Sequence, residues 1–162
     1  MKKLFIIRHA KSDWNNLSLK DFNRPLNKRG FKNAPFMGKI LKDMDVMPDL
    51  IISSPAIRAI TTARLISNEI VYKKEIQTNK KIYEASLETL DNIVHSIDDK
   101  HEFVFLVGHN PSVSFLAYNL CGLNEDIPTC AVIQIDFDTN TWADISLDNS
   151  KLISYDYPKK YK

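Results

Sequence analysis

Along the chain, apolar and polar residues alternate between two periods. "KLFIIR" near the start, "PDLIISS" around residue 50 and "EFVFLVGH" after residue 101 are short continuous apolar runs, the pattern of strands buried on both faces. Between them the period lengthens. "LNKRGFKNAPFMGKILKDM" carries Phe31, Ala34, Gly38 and Leu41 at helical spacing, with Asn27 placed to cap the helix and Pro35 expected to kink it or split off its first turn. "SPAIRAITTARLISNEI" puts Ile57, Ile60, Ala63 and Ile66 on one helical face, with Ser54 as cap and Pro55 as first helical residue. "EIQTNKKIYE" holds a short strand, and "SLETLDNIVHSI" a helix with Leu87, Leu90, Val94 and Ile97 on one side. "NPSVSFLAYNLCG" repeats the capped start with Asn110 and Pro111 and ends at Gly122. The last third differs: "CAVIQIDFD", "WADISL" and "KLISYDY" read as strands, with "DTNT" a turn.

This order predicts an α/β fold: a mostly parallel sheet with helices on both faces and antiparallel edge strands near the C-terminus, forming one domain over residues 1–162. In such sheets ligands bind beyond the carboxyl ends of the strands.

Composition narrows the field without choosing within it. A formal charge of +2 is too small to imply nucleic-acid binding by bulk electrostatics, and 44% apolar with 26% charged residues is the balance of a globular protein. No apolar stretch approaches the roughly 18 residues of a membrane span, and the N-terminal run stops at Arg8, short of a signal-peptide core of about 7–15 residues. A cytoplasmic monomer without membrane or nucleic-acid partners is expected. Cys121 and Cys130 lack metal-type spacing and fit a reducing compartment, with their pairing left open.

The strand ends change the picture. The first apolar run exits into Arg8 and His9, the second into a helix whose first turn holds Arg58, the third into Glu84 and the fourth into His109. The chain uses 17 lysines but only five arginines, and two of those five stand at these exits, with a third, Arg24, in the loop "NRPLNKRG". Guanidinium forks match phosphate oxygens in pairs, and helix N-termini near Ser54 and Asn110 add backbone N–H donors. Taken singly, each residue has an ordinary structural use: a histidine bonded to backbone, an arginine lying along a helix, a surface carboxylate. Their coincidence at strand exits points to a site for a dianionic tetrahedral group. A metal centre fits poorly, since arginines would face the cation and no HxH, HExxH or CxxC spacing occurs. With four glycines and no GKS or GKT there is no P-loop, and neither cysteine begins a phosphatase loop closed by arginine.

The segments "RHAKSDW" (8–14), "RPLNKRG" (24–30), "SSPAIRAITTA" (53–63), "YEAS" (83–86) and "VGHNP" (107–111), in this order, resemble the histidine phosphatase superfamily, and within it the small bacterial phosphohistidine phosphatases of the SixA type. Ala10 stands where the wider superfamily usually has glycine. The resemblance implies a hydrolase that needs no cofactor or metal, with His9 as nucleophile and Arg8, Arg58 and His109 holding the phosphoryl oxygens. Asn110 and Arg24 are further candidates for substrate binding. The proton donor stays open among Glu84, Asp13, Asp21 and none. A phosphorylated protein carrying phosphohistidine is the expected substrate, because an imidazole, with a reference pKa of ~6.5, leaves without a strong acid. Two alternatives stand beside it: a phosphomonoesterase on small sugar or nucleotide phosphates with Glu84 as acid, and a phosphate-dependent binding module without turnover.

Overall fold

The computed structural model describes residues 1–162. Six strands, β1 (Lys2–Arg8), β2 (Leu50–Ser53), β3 (Gln77–Thr78), β4 (Phe103–Gly108), β5 (Val132–Phe137) and β6 (Ser150–Asp156), form one sheet in the order β3-β2-β4-β1-β5-β6. The first four are parallel; β5 and β6 add antiparallel strands on one edge. Four helices cover the sheet: α1 (Lys28–Asp43), α2 (Ile57–Ile70), α3 (Leu87–His95) and α4 (Ser112–Cys121). This is the expected α/β architecture.

The period-two geometry of a strand explains the two cores. On β1, Phe5 and Ile7 point to one face and pack with Ala34, Met37 and Leu41 of α1 and Ala63 and Ile66 of α2. Leu4 and Ile6 point to the other, with Leu90 and Val94 of α3 and Val113 and Leu116 of α4. Both faces are covered, so β1 and β4 need consecutive apolar residues through their centres, and that is the run seen in the sequence.

Several local expectations are corrected. α1 runs unbroken through Pro35, because one proline removes only the bond to the Phe31 carbonyl and the helix is held by packing over its whole length. Phe31 and Ile57 are 51% and 38% exposed rather than buried, so the apolar stripes of α1 and α2 are narrower at their starts than their spacing implied. α2 begins at Ile57, not Pro55, since the Ser54 hydroxyl accepts only from the Ala56 N–H and is otherwise engaged across the sheet. α4 begins at Ser112; the Asn110 side chain accepts from the Ser114 hydroxyl and donates to Asp126 and the Ile127 carbonyl, pinning a neighbouring loop. "WADISL" is no strand. Trp142 starts a short 3-10 turn, wholly buried, with its indole N–H donating to the His101 carbonyl at 2.7 Å. A buried indole needs such an acceptor, and an edge strand does not supply it. Cys121 and Cys130 are both free thiols.

Candidate active site

Strand order brings the site together. β4 lies between β1 and β2, and the register pairs Arg8 with Gly108 and Ser53 with Val107. The next residue on each strand is therefore His9, His109 and Ser54. The backbone ladder continues past the strand ends: His9 N–H donates to the Gly108 carbonyl at 3.1 Å and Ser54 N–H to the Val107 carbonyl at 3.0 Å. Connections from the β1 and β4 ends leave toward opposite faces, to α1 and to α4, which opens the crevice that parallel sheets use for ligands.

The two imidazoles lie with centroids 5.1 Å apart, each only 7% exposed. His9 Nδ1 is 2.7 Å from the Ala10 carbonyl, which can only accept, so Nδ1 carries the proton and Nε2 keeps its lone pair. His109 Nε2 is 2.8 Å from Ser54 Oγ. Ser54 is fully buried, and donating its hydroxyl hydrogen to Nε2 satisfies it; that leaves the N–H of His109 on Nδ1. Nδ1 of His109 is buried without a protein partner, and so are Nε of Arg8 and Nε of Arg58. Buried N–H groups are nearly always paired, so three orphans from three segments mark a place that takes an acceptor.

Arginine placement follows from a carboxylate. Arg58 donates through Nη1 to the Asp21 backbone carbonyl at 2.7 Å and through Nη2 to Asp21 Oδ2 at 3.0 Å. Tyr83 donates its hydroxyl to the same Oδ2 at 2.6 Å, and Arg24 Nε meets Oδ1 at 3.0 Å. Arg8 is tied through Nη1 to the Ile127 carbonyl at 2.8 Å. The Thr62 hydroxyl links loop to helix, accepting from Ala10 N–H and donating to the Arg58 carbonyl.

Electrostatics keep both rings neutral. Burial pulls His9 down to about 3, helped by His109, Arg58 and Arg8 and opposed by the bond to Ala10. Burial and then Arg58 pull His109 down to about 4. For Asp21, desolvation works upward, but the bonds from Tyr83, Arg58 and Arg24 together outweigh it and hold the carboxyl at about 2. Burial and then Asp21 raise the Tyr83 phenol, so it stays a donor.

The family model of the histidine phosphatase superfamily, branch 1, matches residues 4–113, more than half of the chain and including Arg8, His9, Asp21, Ser54, Arg58, Tyr83 and His109. The chain belongs to the histidine phosphatase superfamily. Its fold is similar to that of SixA from Agrobacterium tumefaciens, with a TM-score of 0.84 and 26% identity over 97% of this chain and 98% of that one. A structure of the protein histidine phosphatase SixA complexed with tungstate also gives 0.84, at 18% identity over 99% of both chains, a likeness of fold. Among sequences, a chloroplastic Arabidopsis thaliana protein, At3g52155, is 27% identical over 87% of this chain and 69% of its own length. Together these make the protein a phosphatase, a hydrolase of phosphoryl groups.

Within this histidine phosphatase, Arg8, His9, Arg58 and His109 come together at the strand ends, and of the other candidates Asp21 is bonded directly to this set, through Arg58. Arg24 is 6% exposed, with its guanidinium spent on Asp21, on Ser12 Oγ at 2.7 Å and over the Trp14 ring at 3.4 Å. Asn110 is committed to the 126–127 loop. Asp13 Oδ1 accepts from Asn15 N–H in a local turn. Glu84 is exposed, takes a left-handed φ of 56° and makes no hydrogen bond to either histidine or to Arg58; its carboxylate acts on the Tyr83 phenol. Glu84 lines a groove of about 1010 Å³ between the β2–β3 edge and α3, and no member of the Arg/His cluster lines that groove. Sequence reading missed Ser54 as the partner of His109, Tyr83 and Asp21 as the clamp on Arg58, and Thr62 as a tie. The sequence marks Ser54 only as a helix cap and Asp21 only as a candidate proton donor; no period or spacing marks Tyr83 or Thr62.

Proposed function

We propose that this protein is a protein phosphohistidine phosphatase of the cytoplasm, acting through a phosphohistidine on His9 without a metal. In this reading Nε2 of His9 attacks phosphorus, the N–P bond to the substrate imidazole breaks, and that imidazole leaves with a proton from solvent. Arg8, Arg58 and Nδ1–H of His109 hold the equatorial oxygens as charge develops. Water then attacks the phosphoenzyme, forming a P–O bond as the bond to Nε2 breaks, and inorganic phosphate departs. The observation that carries the reading is the set of three buried, unpartnered N–H groups beside a neutral imidazole whose tautomer is fixed by Ala10.

Two features favour an imidazole leaving group and a macromolecular substrate. The carboxylate bonded into the cluster, Asp21, is held ionised and has no proton to give, and Glu84 lines the separate groove beside α3. An alcohol would need that proton; an imidazole, with a reference pKa of ~6.5, does not. The loop after His9 also exposes Trp14 and Leu17, at 62% and 89%, beside Arg24, an apolar rim of a kind used in protein contacts.

The test is phosphate release from a phosphohistidine-bearing protein and from a panel of alkyl phosphate esters, with wild type and His9→Ala. Turnover of the protein substrate, its loss in His9→Ala, and an alkali-stable phosphoenzyme in wild type support the proposal. Faster cleavage of alkyl esters that depends on Glu84, seen as a drop in Glu84→Gln, would replace it with the phosphomonoesterase reading.

A further inference from the structure

A second concave site lies on the α1 side of the same strand ends. It has a volume of about 260 Å³ and is lined by Arg8, Lys11, Arg29 and Lys159 together with Asn33, Thr129 and Tyr157. Four cations share one small pocket, no carboxylate lines it, and none of the four has an ion-pair partner. Four like charges around one concavity that no carboxylate lines create a positive potential that an anion would relieve.

Asn33 is the second, independent observation. It lies on α1, is only 4% exposed as a residue, and lines this pocket, where a polar amide stands among the cations. The Asn33 amide N–H groups and the cations are donors of the type an oxyanion accepts, whereas four positive side chains would repel a cation.

We propose that this pocket is an oxyanion subsite that takes a second negatively charged group of the phosphorylated substrate. Arg8 belongs both to this pocket and to the strand-end cluster, so the two sites are contiguous through that residue. The proposal rests on the phosphatase reading of the His9 site for its functional meaning, though the anion site itself stands on the pocket alone. The second group is an oxyanion, either a phosphate on a small substrate or a carboxylate flanking the phosphorylated residue of a protein.

The experiment uses the full chain and inorganic phosphate as probe, with binding stoichiometry read by calorimetry and by ³¹P titration. Two sites are expected in wild type. Arg58→Ala removes one; Arg29→Ala with Lys159→Ala, or the nearly isosteric Asn33→Asp, removes the other. A single site in wild type, lost in Arg58→Ala, overturns the subsite and leaves the phosphatase reading intact. Loss of no site in Arg58→Ala tells against the phosphatase reading instead. Kinetics give the function: with p-nitrophenyl phosphate, which has one anionic group, the Arg29/Lys159 variant stays within about twofold of wild type. With a bisphosphorylated sugar or a phosphopeptide flanked by glutamates, it loses about tenfold in kcat/KM, equivalent to one well-made charged contact. The substrate that responds identifies the source of the second oxyanion; no response from either overturns the proposal.

Discussion

At the scale of single residues, the chemistry depends on which atoms are already occupied. Ala10 takes the His9 proton-bearing nitrogen, Ser54 takes one nitrogen of His109, and Asp21 takes both terminal nitrogens of Arg58. What is left over is one lone pair and a set of N–H donors, and that remainder defines the reaction. Asp21→Asn is expected to keep the shape of the clamp but weaken its charged bonds, so that Arg58 and Arg24 lose their fixed positions. A rise in KM of about tenfold, with little change in the pH dependence of kcat, follows from the loss of roughly 1.5 kcal/mol of charged hydrogen bonding. Loss of an ionisation from the pH profile would instead identify Asp21 as a proton donor. The rings give a spectroscopic check: both imidazoles are expected to remain neutral on lowering the pH from 8 to 5, because burial holds them at about 3 and about 4. ¹⁵N chemical shifts report this directly.

At the scale of elements, the loop that follows His9 is held where it is because α1 is pressed against it. Asn27 N–H donates to the Lys11 carbonyl, and the Asn27 side chain caps α1 by accepting from Gly30 N–H at 2.9 Å. Gly30 is the closest approach: a Cβ built there falls 2.2 Å from the Lys11 carbonyl oxygen, a backbone atom that cannot swing away. Gly30→Ala is therefore expected to push α1 off the loop, destabilise the fold by about 2–3 kcal/mol and reduce turnover, because Lys11 is two residues from His9. Asn27→Ala removes only the cap and is expected to cost about 1 kcal/mol with activity nearly unchanged. Chemical denaturation with parallel assays separates the two. If Gly30→Ala were the milder change, the close approach would not be what fixes this loop.

At the scale of the whole molecule, the two buried imidazoles couple folding to pH. Their folded values, about 3 and about 4, lie below the ordinary 6.5, so between those limits the unfolded chain binds more protons than the folded one. The stability they contribute is complete above pH ~6.5 and is lost progressively as the pH falls toward their folded values. Thermal melts at constant ionic strength are expected to show a falling Tm below pH ~6.5. Replacing both histidines with glutamine is expected to flatten that slope.

The sequence by itself determined the alternation of strands and helices, the double-faced burial of β1 and β4, and the presence of arginine and histidine at strand exits. These are local properties: period, run length and neighbouring residues are all within a few positions of one another. Even the family was legible, because its motifs are short and ordered along the chain. Tertiary structure decided the rest. The insertion of β4 between β1 and β2 makes His9, His109 and Ser54 neighbours, and sequence spacing carries no trace of strand order. The same holds for Asp21, 37 residues from Arg58 and 62 from Tyr83, which meets both through packing alone. Glu84 shows the reverse. It lies beside Tyr83 in a motif that pointed to the site, yet it lines the separate groove beside α3 while its neighbour's hydroxyl bonds to Asp21. A side chain's direction is set by φ, ψ and the elements packed around it, and these exist only once the chain has folded.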